Sequence, residues 1–439
     1  MRRVMLGIAT LLPLAAGAQD LQQVYRDAKN YDAQYASARY ALQAGLEKLP
    51  QGRALVLPSL NLSASTNNQR IDSHSQTVGV SDFIRDARSY GYALSFSHPV
   101  YRPQNNASYD QAEYQVKQAE AVFGQASQDL ILRVALAYFD VLAAQDTLAL
   151  VRAQKAAISE QLAQAKRNFE VGTATITDTH EAQARFDLAV AQEISARNDL
   201  DTKYRALQQI TGKEYGALKP LRPDVKLSSP EPNRMATWVD LSEKQSYPVL
   251  IQDAARAIAA LEAKKQSAGH LPTLDLVASY GYTDQSASQI AAAASTLSTT
   301  SFGLQFALPL YQGGAINSRE REAAANLQKS TEDLENARRS SALSTRQSYL
   351  AVINGIAQIA ALEQALVSSQ SALDSNKLGY EVGVRINIDV LNAQQQLFST
   401  RRDLALARYN TITNHLRLKS AAGTLREEDL EEIKRALAP

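Results

Sequence analysis

The chain has 439 residues, with 46 Lys and Arg against 45 Asp and Glu, a formal net charge of +1 and 21% charged residues. So even a balance, with no basic block, gives a nucleic-acid partner no electrostatic footing. The complete absence of cysteine excludes disulfides, thiolate metal sites and a lipid on an N-terminal Cys.

In chain order, residues 1–18 come first. Arg2 and Arg3 precede an apolar run from Val4 to Leu14 and then Ala16-Gly17-Ala18, the three-part layout of a cleavable secretory signal. The mature chain is therefore expected to begin near Gln19, outside the cytoplasm. Beyond it no unbroken run of 18 apolar residues offers a transmembrane helix.

Two strands are expected next. Leu60, Leu62 and Ala64 alternate with Asn61, Ser63 and Ser65, and Tyr90, Tyr92, Leu94 and Phe96 alternate with Gly91, Ala93, Ser95 and Ser97. One face is bulky and apolar, the other small or polar. The polar stretch between them, about Asn67 to Ser89, reads as an exposed loop. From Pro103 an uninterrupted helix is predicted to about Leu148. Its apolar positions step by four and three from Ala112 through Phe123 to Leu130, then, after one extra residue, from Val134 to Leu148. Large and small residues alternate along that stripe, which suits close packing on neighbouring helices.

The stretch "NFEVGTATITDTHEAQARF", Asn168 to Phe186, marks a turn, where Gly172 permits a tight bend and Asp178 suits the first turn of the following helix. Pro220, Pro223, Pro230, Pro232 and Pro248 then define a connector over 220–248, with short helical pieces around Trp238 to Glu243. A second pair of strands follows. Leu274, Leu276, Ala278, Tyr280 and Tyr282 occupy alternate positions, as do Phe302, Leu304, Phe306, Leu308 and Leu310, with a Ser- and Ala-rich loop from about Thr283 to Thr300. The helix from Gly314 to about Leu378 would reach about 100 Å at 1.5 Å per residue, too long to fold on itself. It leads into "GYEVGVRINIDVLNAQQQL", Gly379 to Leu397, where Gly383 again permits a turn and Asn387 is placed to cap the last long helix, whose Leu391, Phe398, Ala405 and Ile412 recur every seven residues.

These elements form a tandem repeat. Gly172, Asp178 and Gly212 stand 211 residues before Gly383, Asp389 and Gly423, and "LPSLNLSAS" from Leu57 matches "LPTLDLVAS" from Leu271. A repeat of this size means two quasi-equivalent halves of one architecture: 19–219 and 249–423, joined by 220–248 and followed by a C-terminal segment, 424–439. Four strands alone cannot lie in lipid with unpaired edges, so a membrane reading forces closure by several chains at a multiple of four strands. Apolar-out, polar-in alternation with Tyr and Phe near the strand ends is the outer-membrane barrel pattern. The helices taken alone suggest something plainer, a periplasmic coiled-coil scaffold that does not enter the membrane.

Long segments placed in order resemble the TolC family of outer-membrane efflux proteins over essentially the whole mature chain. They include "LQQVYRDA" at Leu21, "ITDTHEAQARFDLAVAQEISARNDLD" from Ile176, "QQITG" from Gln208, "LPLYQGGAINSR" from Leu308, "GYEVGVRINIDVLNAQQQLF" from Gly379 and "LKSAAGTLREEDL" from Leu418. The resemblance implies a mostly α fold with a small β part: a homotrimer whose twelve-stranded outer-membrane β-barrel continues as a periplasmic α-helical coiled-coil tunnel. It implies a mixed equatorial belt from the connector and the C-terminal segment. It further implies an exit duct for drugs, small toxic compounds or proteins in tripartite efflux and type I secretion. The implied partners are a periplasmic adaptor (membrane fusion) protein and an inner-membrane pump of the proton-driven or ABC type.

The same resemblance assigns roles at the turns. Asp389 matches the family's constricting Asp, which in a trimer rings the axis, whereas a second Asp three residues on is replaced here by Asn392, leaving one charged ring. Tyr380 and Arg385 match residues that tie the inner coil to neighbouring helices, and Thr177 and Asp178 match their partners in the first repeat. Tyr90, Tyr92, Phe96, Phe302, Leu304 and Phe306 are expected to face lipid. Nothing in the chain points to catalysis, since there is no phosphate-binding Gly loop and no ordered Ser/His/Asp set. Neither a cofactor nor a metal is expected, because His74, His98, His180, His270 and His415 lack ligand spacing.

Overall fold

A computed structural model describes residues 19–74, 76, 79, 82–222, 225, 227–286 and 294–438; the expected signal, 1–18, lies outside them. The described chain is mostly helix with one small sheet, and it divides into two compact units. One comprises the residues up to 40 with 122–249 and 337 onward, the other 41–121 with 250–336. Each unit draws on both repeats, so the sequence halves and the spatial units are different divisions of the same chain.

The second unit holds the sheet. Its strands are β1 (Ser59–Ser73), β2 (Phe83–Tyr101), β3 (Thr273–Gln285) and β4 (Ser295–Ala307), all antiparallel in the order β1-β2-β3-β4. Register aligns Leu60, Phe96, Ala278 and Phe302 in one row, and Asn61, Ser95, Ser279 and Ser301 in a row on the opposite face. Tyr90, Tyr92, Phe96, Phe302, Leu304 and Phe306 therefore share the apolar face that the alternation predicts. That face is bare in the single chain: Phe302 is 78% exposed and Leu304 66%. Among the described residues both outer edges, on β1 and β4, lack a partner strand.

The strands differ from expectation at their ends. β1 and β2 run on through much of the polar stretch read as a loop, pairing Asn67 with Ser89 and Asn68 with Arg88, and β3 and β4 likewise shorten theirs. Ladder pairing is made by the backbone and needs no apolar alternation, and here side chains reinforce it, Arg88 Nε donating to Asn68 Oδ1 at 3.0 Å. β4 in turn stops at Ala307, so Leu308 and Leu310 fall outside it; Pro309 has no N–H with which to continue the ladder. At the foot of the sheet Arg102 forks onto the buried Asp275, at 2.6 and 2.7 Å.

Two helices are longer than any other element, α4 (Pro103–Glu170) and α8 (Ala315–Glu381). α4 passes well beyond the expected end near Leu148 because its apolar steps resume at Ile158, Leu162 and Ala165, all buried, with no helix breaker before Gly172. An 18-residue window in each helix is apolar enough by composition to cross a membrane, although neither is an unbroken apolar run; 44% of the α4 window is buried in the chain, against 11% of the α8 window. Few residues of that α8 window are thus fully buried by its own chain.

The first unit carries the main core. Here α4 packs its buried Leu130, Val134, Tyr138 and Leu142 against Leu21 and Val24 of α1 (Leu21–Tyr31), Leu207 of α5 (Ile176–Thr211) and Ile412 of α9 (Asn387–Ala421). Tyr138 is fully buried, and its hydroxyl donates to the carbonyls of Gln19 (3.2 Å) and Lys219 (2.9 Å), pinning both segments. In the connector, Trp238 of the expected short helix, Met235–Gln245, is buried and donates to Pro232 O at 2.9 Å. Arg133 reaches the buried Asp32 with two bonds, at 2.8 and 2.9 Å, and holds that carboxyl below its ordinary range. Asp32→Asn is expected to cost about 2 kcal/mol at neutral pH. A depressed folded-state value stabilises above the unfolded value of about 3.9 and is lost as pH falls through the folded one, so the gap to wild type should narrow as pH is lowered beneath the ordinary carboxylate range. Denaturant unfolding at neutral and acidic pH measures this.

Candidate gate at the two coil turns

Both turns lie in the first unit, and their backbones are nearly identical. After α4, Gly172 N donates to Phe169 O (3.0 Å), while Thr173 N and Ala174 N both reach Asn168 O (2.8 and 3.2 Å). After α8, Gly383 N donates to Tyr380 O (3.1 Å), while Val384 N and Arg385 N both reach Gly379 O (2.9 and 3.0 Å). Gly172 and Gly383 have φ of 78° and 79°, the left-handed region that glycine enters without steric cost.

The side chains diverge on this shared frame. Thr175 caps α5 in a reciprocal box, its hydroxyl accepting from Asp178 N at 3.3 Å while Asp178 Oδ2 accepts from Thr175 N at 3.0 Å. In the second turn the cap position is Ile386, which has no hydroxyl and makes no side-chain bond. Asn387 does not cap as expected: Ile386 already holds the extended cap backbone, so Asn387 is the first helical residue of α9 and is 1% exposed. Freed from a capping box, the Asp389 carboxylate stands 3.7 Å from the Arg385 guanidinium. The Arg385 stem lies across Gly379, where an added Cβ would come within 2.7 Å of its Cγ. Ile386→Thr should recreate the first turn's box and steady the start of α9 by about 1 kcal/mol. Slower amide exchange at Asp389 is the expected readout.

Contacts between the two helix pairs come from elsewhere. Tyr380 OH, on α8, accepts from Asn168 Nδ2, on α4, at 3.1 Å. Arg185, on α5, donates Nη1 to Gln395 Oε1 (2.5 Å) and Nη2 to Asn392 Oδ1 (2.9 Å), both on α9. Between these polar points Leu391 of α9 is buried among Ile158, Leu162 and Ala165 of α4 and Ala182 and Ala189 of α5. Among the described residues, no bond within the chain joins Tyr380 or Arg385 to Thr177 or Asp178. The cause is local: Asp178 is engaged by Thr175, Arg385 by Asp389 and Tyr380 by Asn168. Both Asp178 side-chain bonds use Oδ2, and among the described residues Oδ1 takes none. Asn168 and Arg185 are the residues that the sequence reading missed. Asn168 was visible as the partner of Gly379 across the 211-residue spacing, whereas Arg185 faces Gln396 in that alignment and leaves no repeat signal.

The sequence pattern of the outer membrane efflux protein family matches residues 24–213 and 244–424, taking in both turns. The chain belongs to the outer membrane efflux protein family. Outer membrane protein TolC of Vibrio cholerae is 35% identical to it over 427 residues, 97% of this chain and 95% of that protein. Alkaline protease secretion protein AprF of Pseudomonas aeruginosa is 34% identical over 441 residues, 99% of this chain and 91% of that protein. The crystal structure of outer membrane protein VceC from Vibrio cholerae shares the fold, with a TM-score of 0.78 at 19% identity over 92% of this chain and 96% of that one. The chain is accordingly an outer-membrane protein with a large periplasmic part.

Proposed function

We propose that three copies of this chain close their sheets into one twelve-stranded outer-membrane barrel, continued by a periplasmic coiled-coil tunnel, and that the assembly is the gated exit duct of tripartite efflux and type I secretion. The observation that carries this reading is the sheet, whose continuous apolar face is bare and whose two outer edges are unpaired among the described residues of one chain. Unpaired edges are untenable in lipid, and closure with neighbouring copies satisfies them. The sparsely buried apolar window of α8 supports the same association along the helices. Drugs, small toxic compounds or proteins pass through, with energy supplied by an inner-membrane pump of the proton-driven or ABC type, joined through a periplasmic adaptor. The chain itself acts as a passive conduit and not as an enzyme.

The two coil turns serve as the entrance. Asp389 rings the axis, and Asn392, a neutral residue, adds no second ring. Tyr380 and Arg385 act as latches. In this reading Arg385 bonds the Asp178 and Thr177 of a neighbouring protomer, a pairing supported by the Asp178 Oδ1 that takes no bond among the described residues. Purification in detergent followed by planar-bilayer recording tests this function: heat-modifiable trimers with discrete conductance steps are expected, and a soluble monomer without conductance would return the chain to the scaffold reading.

A further inference from the structure

Resting on the reading of these turns as the entrance, we propose that Arg185 is a retaining residue that holds the inner helix α9 against α5 in the closed arrangement, using Asn392 and Gln395 as its acceptors. Three observations converge on it. The guanidinium fork is bidentate across the two repeats, at 2.5 and 2.9 Å, and a guanidinium can only donate, so both amide oxygens are turned toward α5. The acceptors lie three and six residues after Asp389 and one and four after Leu391, which α9 buries between α4 and α5. Arg185 follows Ala182 by three residues and precedes Ala189 by four, so it lies along the same α5 stripe that receives Leu391. The fork therefore fastens the seam beside its apolar knob, while Tyr380 and Asn168 fasten the other helix pair.

This assignment gives Asn392 a role different from a missing ring charge. Its side-chain oxygen is committed sideways to α5, and opening the entrance by moving α9 away from α5 must break both bonds of the fork. Among the described residues Arg185 makes no other bond, so the fork is available to break and remake as the coil moves.

The test is single-channel recording of trimers carrying Arg185→Ala, Asn392→Ala or Asn392→Asp. Removing charge-assisted bonds should raise the occupancy of the open level roughly three- to tenfold in Arg185→Ala, with trimer yield unchanged. Asn392→Ala should act in the same direction without altering charge, which separates retention from a change in the entrance potential. Asn392→Asp converts the fork to an ion pair, so openings should become rarer at low salt and recover as salt is raised; with Arg185→Ala in the same chain that salt dependence should vanish. Wild-type occupancy in both alanine variants, or an Asn392→Asp response that persists without Arg185, would overturn the proposal. Absence of conductance from wild-type trimers would overturn the exit-duct reading itself, and with it this role.

Discussion

Leu304→Arg is expected to remove most folded trimer from outer-membrane fractions, while Gly303→Ser, one residue away, leaves the yield near wild type. The two positions lie on opposite faces of β4. Leu304 pairs with Leu276 on the apolar face, and Gly303 pairs with Val277 on the other. A cation on a lipid-facing strand position near the bilayer midplane costs about 2–4 kcal/mol, and a trimer incurs that cost in each of its three chains. Space does not confound the comparison, since a Cβ at Gly303 meets nothing within 4 Å. Phe302→Arg and Phe96→Arg, in the same cross-strand row as Leu60, should follow Leu304→Arg. Heat-modifiability on gels of membrane fractions reads the outcome. Equal tolerance on both faces would remove the barrel from the proposed function.

The face assignment was legible because strand side chains alternate with period two and one face meets a different solvent from the other; the pattern at Tyr90, Tyr92 and Phe96 needs no knowledge of partners. Strand length was not legible. Past Thr66 and Tyr90 polar and charged residues stand on both faces, the alternation fades, and backbone pairing continues the ladder out to Ser73 and Phe83. The same division runs through the turns. Gly172 and Gly383 declared themselves by a backbone conformation that the sequence must respect locally. The pairing of Arg385 with Asp389 follows from two differences, Ile386 where the first copy has Thr175, which dissolves one capping box and leaves the other intact, and Arg385 where it has Ala174. The repeat spacing exposes that difference, yet the partner it frees is decided in three dimensions. Arg185 lay beyond reach because its acceptors are some 200 residues away and only the packing of Leu391 brings the helices together.

Asp389→Ala should lower the cation preference of the closed entrance, whereas Tyr380→Phe/Arg385→Ser should enlarge conductance and keep that preference or sharpen it. Three carboxylates converging on one axis repel one another and concentrate cations, so neutralising them removes the selectivity at its source. The double variant acts on a different quantity. Tyr380→Phe deletes the 3.1 Å bond to Asn168, and Arg385→Ser removes a guanidinium that stands 3.7 Å from Asp389. Within one chain that ion pair is worth little, since Arg385 is 59% exposed and Asp389 34%. A large change in opening would therefore have to come from bonds that Arg385 makes beyond its own chain, to the Thr177 and Asp178 of a neighbouring protomer. At about 1–3 kcal/mol for each charge-assisted bond, repeated in three chains, removing two latches shifts a mostly closed population substantially toward open. Loss of Arg385 also unmasks Asp389, which is why cation preference should not fall. Planar-bilayer recordings of the two variants separate the effects. If the double variant forms trimers and conducts like wild type, Arg385 and Tyr380 serve only to shape their own turn, and the closed state is held by the Leu391 seam and the Arg185 fork alone.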